Sequence, residues 1–347
     1  MTPAAVSAIV VVYNPDEAYL AQCVDSLLAS ERVEISVVVV DNASAVPVVL
    51  ERGDRVRLRR LAGNRGFAAG VNAGLATATG DYVMLLNDDA WVEPDCLVEA
   101  VEALRNGGPR CLGVAPKVLV AGDEHRVIDS VGNVLMPTGE GFNLGIGQPD
   151  IGQFDTSERC FGVCFAAGLF HRTAFDDDVV GMLDERYFLY YEDIDWTLRA
   201  NRRGFEFHTA PKAIAFHRHS MTTRRLGLAR RYRLVERNLL INATKNLGPR
   251  SIAAIWARRL YVHSVGLIRG PYRLARWQAI ATAAIRVPAV VVRRFLRPAP
   301  PSSMTDAQLF AFSTGQQPYF DADEFHPLDP SAARAAAERR LSRNAAH

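Results

Sequence analysis

Residues 6–13 and 35–41 are mostly apolar and rich in Val, broken only by Ser7 and Ser36, and the second ends at Asp41. Short β-branched runs of this kind predict strands buried on both faces of a parallel sheet. Between them Leu20, Val24, Leu27 and Leu28 recur at helical spacing, so residues 16–30 read as a helix and the segment as a strand–helix–strand unit. The pattern continues with a third strand over 55–61, a helix of small residues over 66–79, and a fourth strand over 82–86 that stops at Asn87-Asp88-Asp89. Residues 93–106 read as a helix opening at Pro94. This alternation predicts a doubly wound, mostly parallel α/β sheet, whose ligands sit beyond the carboxyl ends of the strands. Tyr13, Asp41 and Asp89 fall at such ends.

Further along, residues 132–154 are rich in Gly and Pro and read as a loop over the site, with an inert connection as the alternative. Residues 187–203 read as a helix with acids at its front and arginines at its back, which suits the helix dipole. After Tyr232 come Arg-studded amphipathic helices, and Pro298-Ala299-Pro300-Pro301 opens a tail read as poorly ordered. The domain reading is a catalytic unit over 1–220, divided into a donor half (1–106) and an acceptor half (107–220), then a basic helical region (221–299) and the tail (300–347).

Charge sharpens this division. The net charge is only +2, yet 18 of the 40 Lys and Arg lie between His217 and Ala299, where Glu236 is the one acid. An acidic body is joined to a basic helical appendage. Its longest apolar stretch, 279–292, is interrupted by Arg286 and Pro288 and is too short to span a bilayer. With 49% hydrophobic residues the chain can bury a sizeable core. Five cysteines, odd in number and without paired metal-site spacing, point to a reduced, cytoplasmic setting. The first eight residues lack the pattern of a secretion signal.

Four constellations carry candidate chemistry. Asn87-Asp88-Asp89-Ala90 sets two adjacent carboxylates beyond a strand end, where a hard cation such as Mg2+ or Mn2+ would relieve their repulsion; a plain turn or helix cap has the same composition. Glu192, Asp193 and Asp195 crowd one helix start, so one of them is a candidate general base, while a capped helix with an Asp195–Arg199 pair is the structural alternative. Glu192 and Asp195 share a helical face; Asp193 points elsewhere. Asn64-Arg65-Gly66, followed by Asn72, forms a glycine-containing loop that enters a helix and suits a phosphate or nucleotide edge. His217-Arg218-His219-Ser220 follows an apolar run and could complete a metal site.

Taken in order, these motifs resemble glycosyltransferase family 2, the GT-A fold enzymes, and within it the branch of rhamnosyl- and galactofuranosyltransferases. The resemblance spans about residues 6–220. It implies that Tyr13, Asn14 and Asp41 hold the donor's base and ribose, with Asn64, Arg65, Gly66, Asn72 and Asp88 lining the same pocket. It implies Asp89 and His217 as ligands of Mg2+ or Mn2+, and Asp193 as the base of an inverting transfer. Gly168 and Trp196 are expected on the acceptor side. Asn87 departs from the pattern, standing where many members have the first Asp. The expected donor is deoxythymidine diphosphate rhamnose first and a uridine diphosphate sugar second, and the expected acceptor a lipid-linked or glycan hydroxyl.

The basic helices carry Trp256, Tyr261, Tyr272, Trp277 and Phe295 among their arginines, which predicts peripheral attachment to an anionic membrane surface at the inner face, with a homodimer interface as the alternative. A nicotinamide oxidoreductase is disfavoured, since Tyr13-Asn14-Pro15-Asp16 stands where a glycine fingerprint would be needed. An RNA- or polyanion-binding protein would use the arginines but leave the acid cluster of 192–195 without a task.

Overall fold

The computed structural model describes residues 3–123, 126–218, 227–296, 303–321, 326–327 and 329–345. His219, Ser220 and the Pro-rich start of the tail lie outside them, as does the side chain of Phe295.

The predicted alternation is present. β1 (Ala4–Val12), α1 (Glu17–Leu28), β2 (Val33–Asp41), β3 (Val56–Arg60), α2 (Phe67–Leu75) and β4 (Tyr82–Leu86) follow in order. β1 pairs in parallel with β2 on one side and β4 on the other, and β3 joins β2 in parallel. Val6, Ala8, Val10 and Val12 pack with Leu20, Val24 and Leu27 of α1, so the apolar face of the helix closes one side of the sheet. Asp16 caps α1 by accepting from the amides of Ala18 and Tyr19. On the other side, Gly70 lets α2 lie directly against Val11 of β1.

Beyond β4 the sheet turns mixed. β5 (Ala90–Val92), α3 (Cys96–Asn106), β6 (Cys111–Val120), β7 (Ile128–Ser130), the hairpin β8 (Asn133–Leu135) and β9 (Gly141–Asn143), β10 (Arg159–Cys160) and β11 (Ala167–His171) lead to α4 (Glu192–Arg202) and β12 (Glu206–His217). The strand order is β10-β12-β6-β11-β4-β1-β2-β3, with β5 on β12 and β7 on β6. β11 runs antiparallel to both β4 and β6, and β6 pairs in parallel with β12.

Several expectations are corrected. Residues 90–92 form a strand because they pair with β12, so the helix read over 93–106 starts at Cys96. The small-residue helix ends at Leu75. Residues 132–154 contain the β8–β9 hairpin. The helix read over 187–203 begins only at Glu192, because Phe188, Tyr190 and Tyr191 have φ of 69°, 69° and 70°, a left-handed conformation that no helix continues. Trp196 lies in the core, 0% exposed, ringed by Phe165, Phe170, Phe175 and Phe207, with Nε1 donating to the Gly181 carbonyl. Gly168 is likewise inside a strand, packed on Val163.

α5 (Leu228–Asn246), α6 (Pro249–Arg269) and α7 (Arg273–Leu296) make up the basic region. α5 shares a core with α4: Leu239, Leu240 and Ala243 pack with Tyr187, Tyr191, Ile194 and Leu198. Among the described residues no helix is long and apolar enough to cross a membrane. Where composition suggested a poorly ordered tail there are two capped helices, α8 (Asp306–Ala311) and α9 (Pro330–Asn344); α9 sets Arg340 over the Phe154 ring.

Trp196→Ala, which empties the aromatic centre beneath α4, should lower unfolding free energy by about 3–5 kcal/mol. Urea denaturation measures this, and a loss below about 1 kcal/mol would mean that the cluster collapses around the gap.

Candidate active site

The carboxyl ends of β4 and β12 and the amino end of β5 converge through strand register. After Leu86 the chain turns, with the Ala90 amide donating to the Asn87 carbonyl, and Ala90 then pairs with His217 at the end of β12. That register places Asp89 Oδ1 3.1 Å from His217 Nε2, and Asn87 Nδ2 3.4 Å from the same nitrogen. A third group was not legible in the sequence. The β6–β7 pairing slips by one residue, Val118 facing Ser130 and Leu119 facing Ile128, so Asp129 is the extra residue of a bulge. Its Oδ2 lies 2.7 Å from His217 Nδ1. All three side chains are buried. Burial opposes the imidazolium, but the two flanking carboxylates raise the His217 pKa well above its ordinary value. Burial also opposes ionisation of Asp89, and His217 nonetheless holds it below the usual carboxylate range. Asp88 stands half-buried at the same turn.

The second cluster hangs from the strap 187–191. The side-chain amide of Asn238 on α5, wholly buried, faces the carbonyls of Tyr187, Leu189 and Tyr190 at 3.1, 2.9 and 2.7 Å. These bonds fix the left-handed backbone and thereby aim the start of α4. Asp193 accepts from Asn133 Nδ2 at 2.9 Å and from the Ile194 amide at 2.8 Å. Its pKa is raised by burial, against those two bonds. Asp195 faces the other way, into Lys245 (2.8 Å), Arg199 (3.2 Å) and Tyr187 Oη (3.1 Å). The anticipated Asp195–Arg199 pair is therefore present, within a larger ionic network. Glu192 Oε2 is buried with no hydrogen-bond partner, and burial followed by the Asp193 charge pushes its pKa up to about 8. The two clusters adjoin. Burial raises the Cys164 thiol first, and the charges of Asp193, Asp129 and Glu192 all raise it further.

The donor-side residues separate into those on the surface and those turned inward. Tyr13 is 47% exposed at the end of β1. Asn14, at φ 50°, accepts the Ala45 amide and donates its own amide to Ser44 Oγ, latching the first two strand ends together. Asp41 is fully buried, its carboxylate held by the Ser44 amide at 2.8 Å and by Arg60. Asn72 spans the Leu183 backbone and Glu185. In this structure Asp41 and Asn72 therefore brace the loops. Asn64 accepts the Gly66 amide, and Arg65 pairs with Glu185 at 2.6 Å. Asn42, which sequence reasoning missed, receives the Arg65 amide and donates to the Gly66 carbonyl. Gly66, at φ 88°, lies so close to Phe188 that a Cβ would strike the Phe188 carbonyl, the same oxygen that accepts the Phe67 amide.

This rim can be set beside known proteins. Residues 7–177 match the family Glycosyl transferase family 2. Asp193 and His217 lie beyond the matched segment. The chain is 37% identical over 101 residues to the succinoglycan biosynthesis protein ExoO of Rhizobium meliloti (strain 1021), covering 28% of this chain and 29% of ExoO. It is 32% identical over 100 residues to EpsH of Bacillus subtilis (strain 168), covering 27% of this chain and 29% of EpsH. Less than a third of either relative is spanned. Among solved structures, GalNAc-T7 with UDP, GalNAc and Mn2+ superimposes with a TM-score of 0.60 at 14% identity, covering 86% of this chain and 58% of that one. S. aureus TarS gives 0.50 at 16%, covering 82% and 50%. The fold is the GT-A glycosyltransferase fold, with a helical C-terminal region.

The Glu192 proton makes stability depend on pH. Its folded pKa lies above that of the unfolded chain, so the stability it contributes is fully present below the ordinary glutamate range and is lost as pH rises through about 8. Across this window the melting temperature of the wild type should fall relative to Glu192→Gln. Parallel curves would show Glu192 already ionised at neutral pH.

Proposed function

We propose that this chain is an inverting, divalent-metal-dependent glycosyltransferase of cell-envelope or extracellular polysaccharide synthesis. The reading rests on one observation: Asp89, His217 and Asp129 converge beyond the strand ends, beside an Asp193 that alone among the three acids of 192–195 is suited to accept a proton. Asp195 is neutralised within its ionic network, and Glu192 holds its own proton at neutral pH. Asp193, anchored by Asn133, takes the proton of the acceptor hydroxyl as that oxygen bonds to the anomeric carbon and the nucleotide diphosphate leaves from the opposite side. The other acids of the site are engaged, Asp89 and Asp129 on His217, Asp195 on its cations and Glu192 with its proton, which supports a single displacement that inverts the centre.

The residues fit a divalent cation. A separation of 3.1 Å between Asp89 Oδ1 and His217 Nε2 suits two adjacent ligands on one ion, and Asp129 on Nδ1 is the carboxylate that commonly backs a ligating histidine. Among the described residues no group of three or more His, Cys, Asp or Glu forms a complete metal site, so donor phosphate and water would supply the rest. Such an ion would stabilise the charge growing on the leaving diphosphate. Asp88 would stand beside it, and Tyr13, exposed at the rim, would stack on the base. Asn64, Arg65 and Gly66 would edge the donor pocket, with Asp41 and Asn72 bracing its loops.

Deoxythymidine diphosphate rhamnose remains the first donor to test and a uridine diphosphate sugar the second; GalNAc-T7, whose structure contains UDP and Mn2+, favours trying both with Mn2+. The acceptor reading is a lipid-linked or glycan hydroxyl at an anionic membrane surface. It is supported by exposed apolar side chains on α6 and α7, among them Tyr261 and Trp277; Trp256 instead packs inward, donating to Thr244, and Tyr272 lies against Tyr232.

Asp193→Asn should preserve donor binding while transfer at saturating donor falls roughly 10²- to 10⁴-fold. Near-normal turnover would remove Asp193 from the mechanism, and a larger loss in Glu192→Gln would move the base one position earlier. Asp89→Ala leaves the His217–Asp129 pair in place and should abolish Mn2+-dependent binding of the nucleotide diphosphate, followed by calorimetry. Unchanged Mn2+ dependence would rule out the metal assignment.

A further inference from the structure

A groove of about 350 Å³ opens between α5, α7 and the short turn before the strap. Four cations line it, Arg186, Lys245, Arg286 and Arg293, against the single carboxylate of Asp184. That carboxylate is already spent on Arg186 and on Lys245 at 2.8 Å. Glu236, the one acid between His217 and Ala299, is engaged with Arg259 at 3.3 Å and His263 at 3.0 Å. Behind the groove, burial and then the charges of Arg286 and Arg233 depress Arg237 to about 10. The remaining wall is apolar, with Ile241, Ile285 and Val290.

The outer face of α7 continues this apolar wall. Among the described residues, nine of the fifteen exposed large hydrophobic residues fall between Leu260 and Leu296. On α7, Leu274, Ile285, Val292 and Leu296 lie within roughly 40° of one another at 100° per residue. Arg286 and Arg293 lie roughly 100° around from that stripe, between it and the buried Ala279, Ala283 and Val290. A row of cations between an exposed apolar stripe and the packed face of a helix has the layout of a membrane interface: acyl chains against the stripe, headgroup phosphate among the cations.

We propose that this groove seats the phosphate headgroup of an anionic bilayer phospholipid, with the acyl chains along the α7 stripe. The inference rests on the membrane-surface reading and deepens it from diffuse attraction to a defined site.

Flotation of the full chain with vesicles of phosphatidylcholine, alone or mixed with phosphatidylglycerol, tests it. The wild type should prefer the mixed vesicles. Arg286→Gln/Arg293→Gln should reduce that preference about tenfold or more, since each basic residue near an anionic surface contributes substantially. Arg250→Gln/Arg258→Gln removes the same charge from exposed positions away from the groove and should reduce it far less. Leu274→Ser/Leu296→Ser should weaken binding to both vesicle types. Equal losses in the two arginine variants would overturn the defined site while leaving the membrane reading intact. Absence of wild-type flotation on either vesicle would overturn both. Stabilisation of the wild type by inorganic phosphate, lost in Arg286→Gln/Arg293→Gln and unaccompanied by flotation, would reassign the groove to a soluble phosphate and refute the lipid proposal.

Discussion

Packing carboxylates together beneath a protein surface is costly unless each finds a proton, a cation or a set of donors, and this constraint governs the rim of the sheet. Asp89 and Asp129 share His217. Asp184 and Asp195 share Lys245, with Arg186 and Arg199 at their flanks. Asp41 takes Arg60 and the amide of Ser44. Glu192 receives none of these and keeps its proton instead. The outcome is a division of labour among acids that are nearly adjacent in sequence. Asp195 is tied to its cations, whereas Asp193 is held by two hydrogen bonds and no cation.

A second constraint follows from where these acids must point. An ordinary helical approach to Glu192 would carry residues 187–191 along the axis of α4. Instead three aromatic residues adopt the left-handed conformation, which is unfavourable for side chains of this size and persists only where the surroundings over-determine it. Asn238 supplies that determination from α5, and the Phe188 carbonyl supplies more by receiving the Phe67 amide at the start of α2. The loop at Gly66, Asp193 on α4 and the helix α5 are thus locked at one point. The helices beyond β12 form a wall of the site, which their charge alone did not suggest.

This explains which parts were legible in the sequence. Buried parallel strands announce themselves by continuous apolar runs, so β1, β2 and β4 were legible, and with them the strand ends that carry Tyr13, Asp41 and Asp89. His217 was legible for the same reason, following an apolar run. Asp129 was not, because its aim depends on a one-residue bulge in a three-residue strand that no periodicity records. Asn133 and Asn42 were missed because a single buried amide has no pattern; its significance lies in the backbone or carboxylate it reaches. The helical reading of 187–191 failed where tertiary bonds from Asn238 overrode local preference. Asp41 and Asn72 were found as polar residues in the right place, yet their side chains are spent on bracing loops, a distinction that only partners reveal.

α5 joins the two halves of this picture. One of its faces carries Asn238, Lys245 and Asn246, which hold the strap and the Asp195 network. Ile241 and that same Lys245 also border the groove against α7. Lys245 therefore meets Asp184 at the groove and Asp195 beneath Asp193, so the electrostatic surroundings of α4 extend to the basic surface without a break. Arg237 on the same helix donates to the Asn238 side chain and to the Tyr187 carbonyl, so a basic residue of this region helps to hold the strap from which Asp193 is aimed. A carboxylate in place of Lys245 would face Asp184 and Asp195 with no cation between them, which both acids require where they stand.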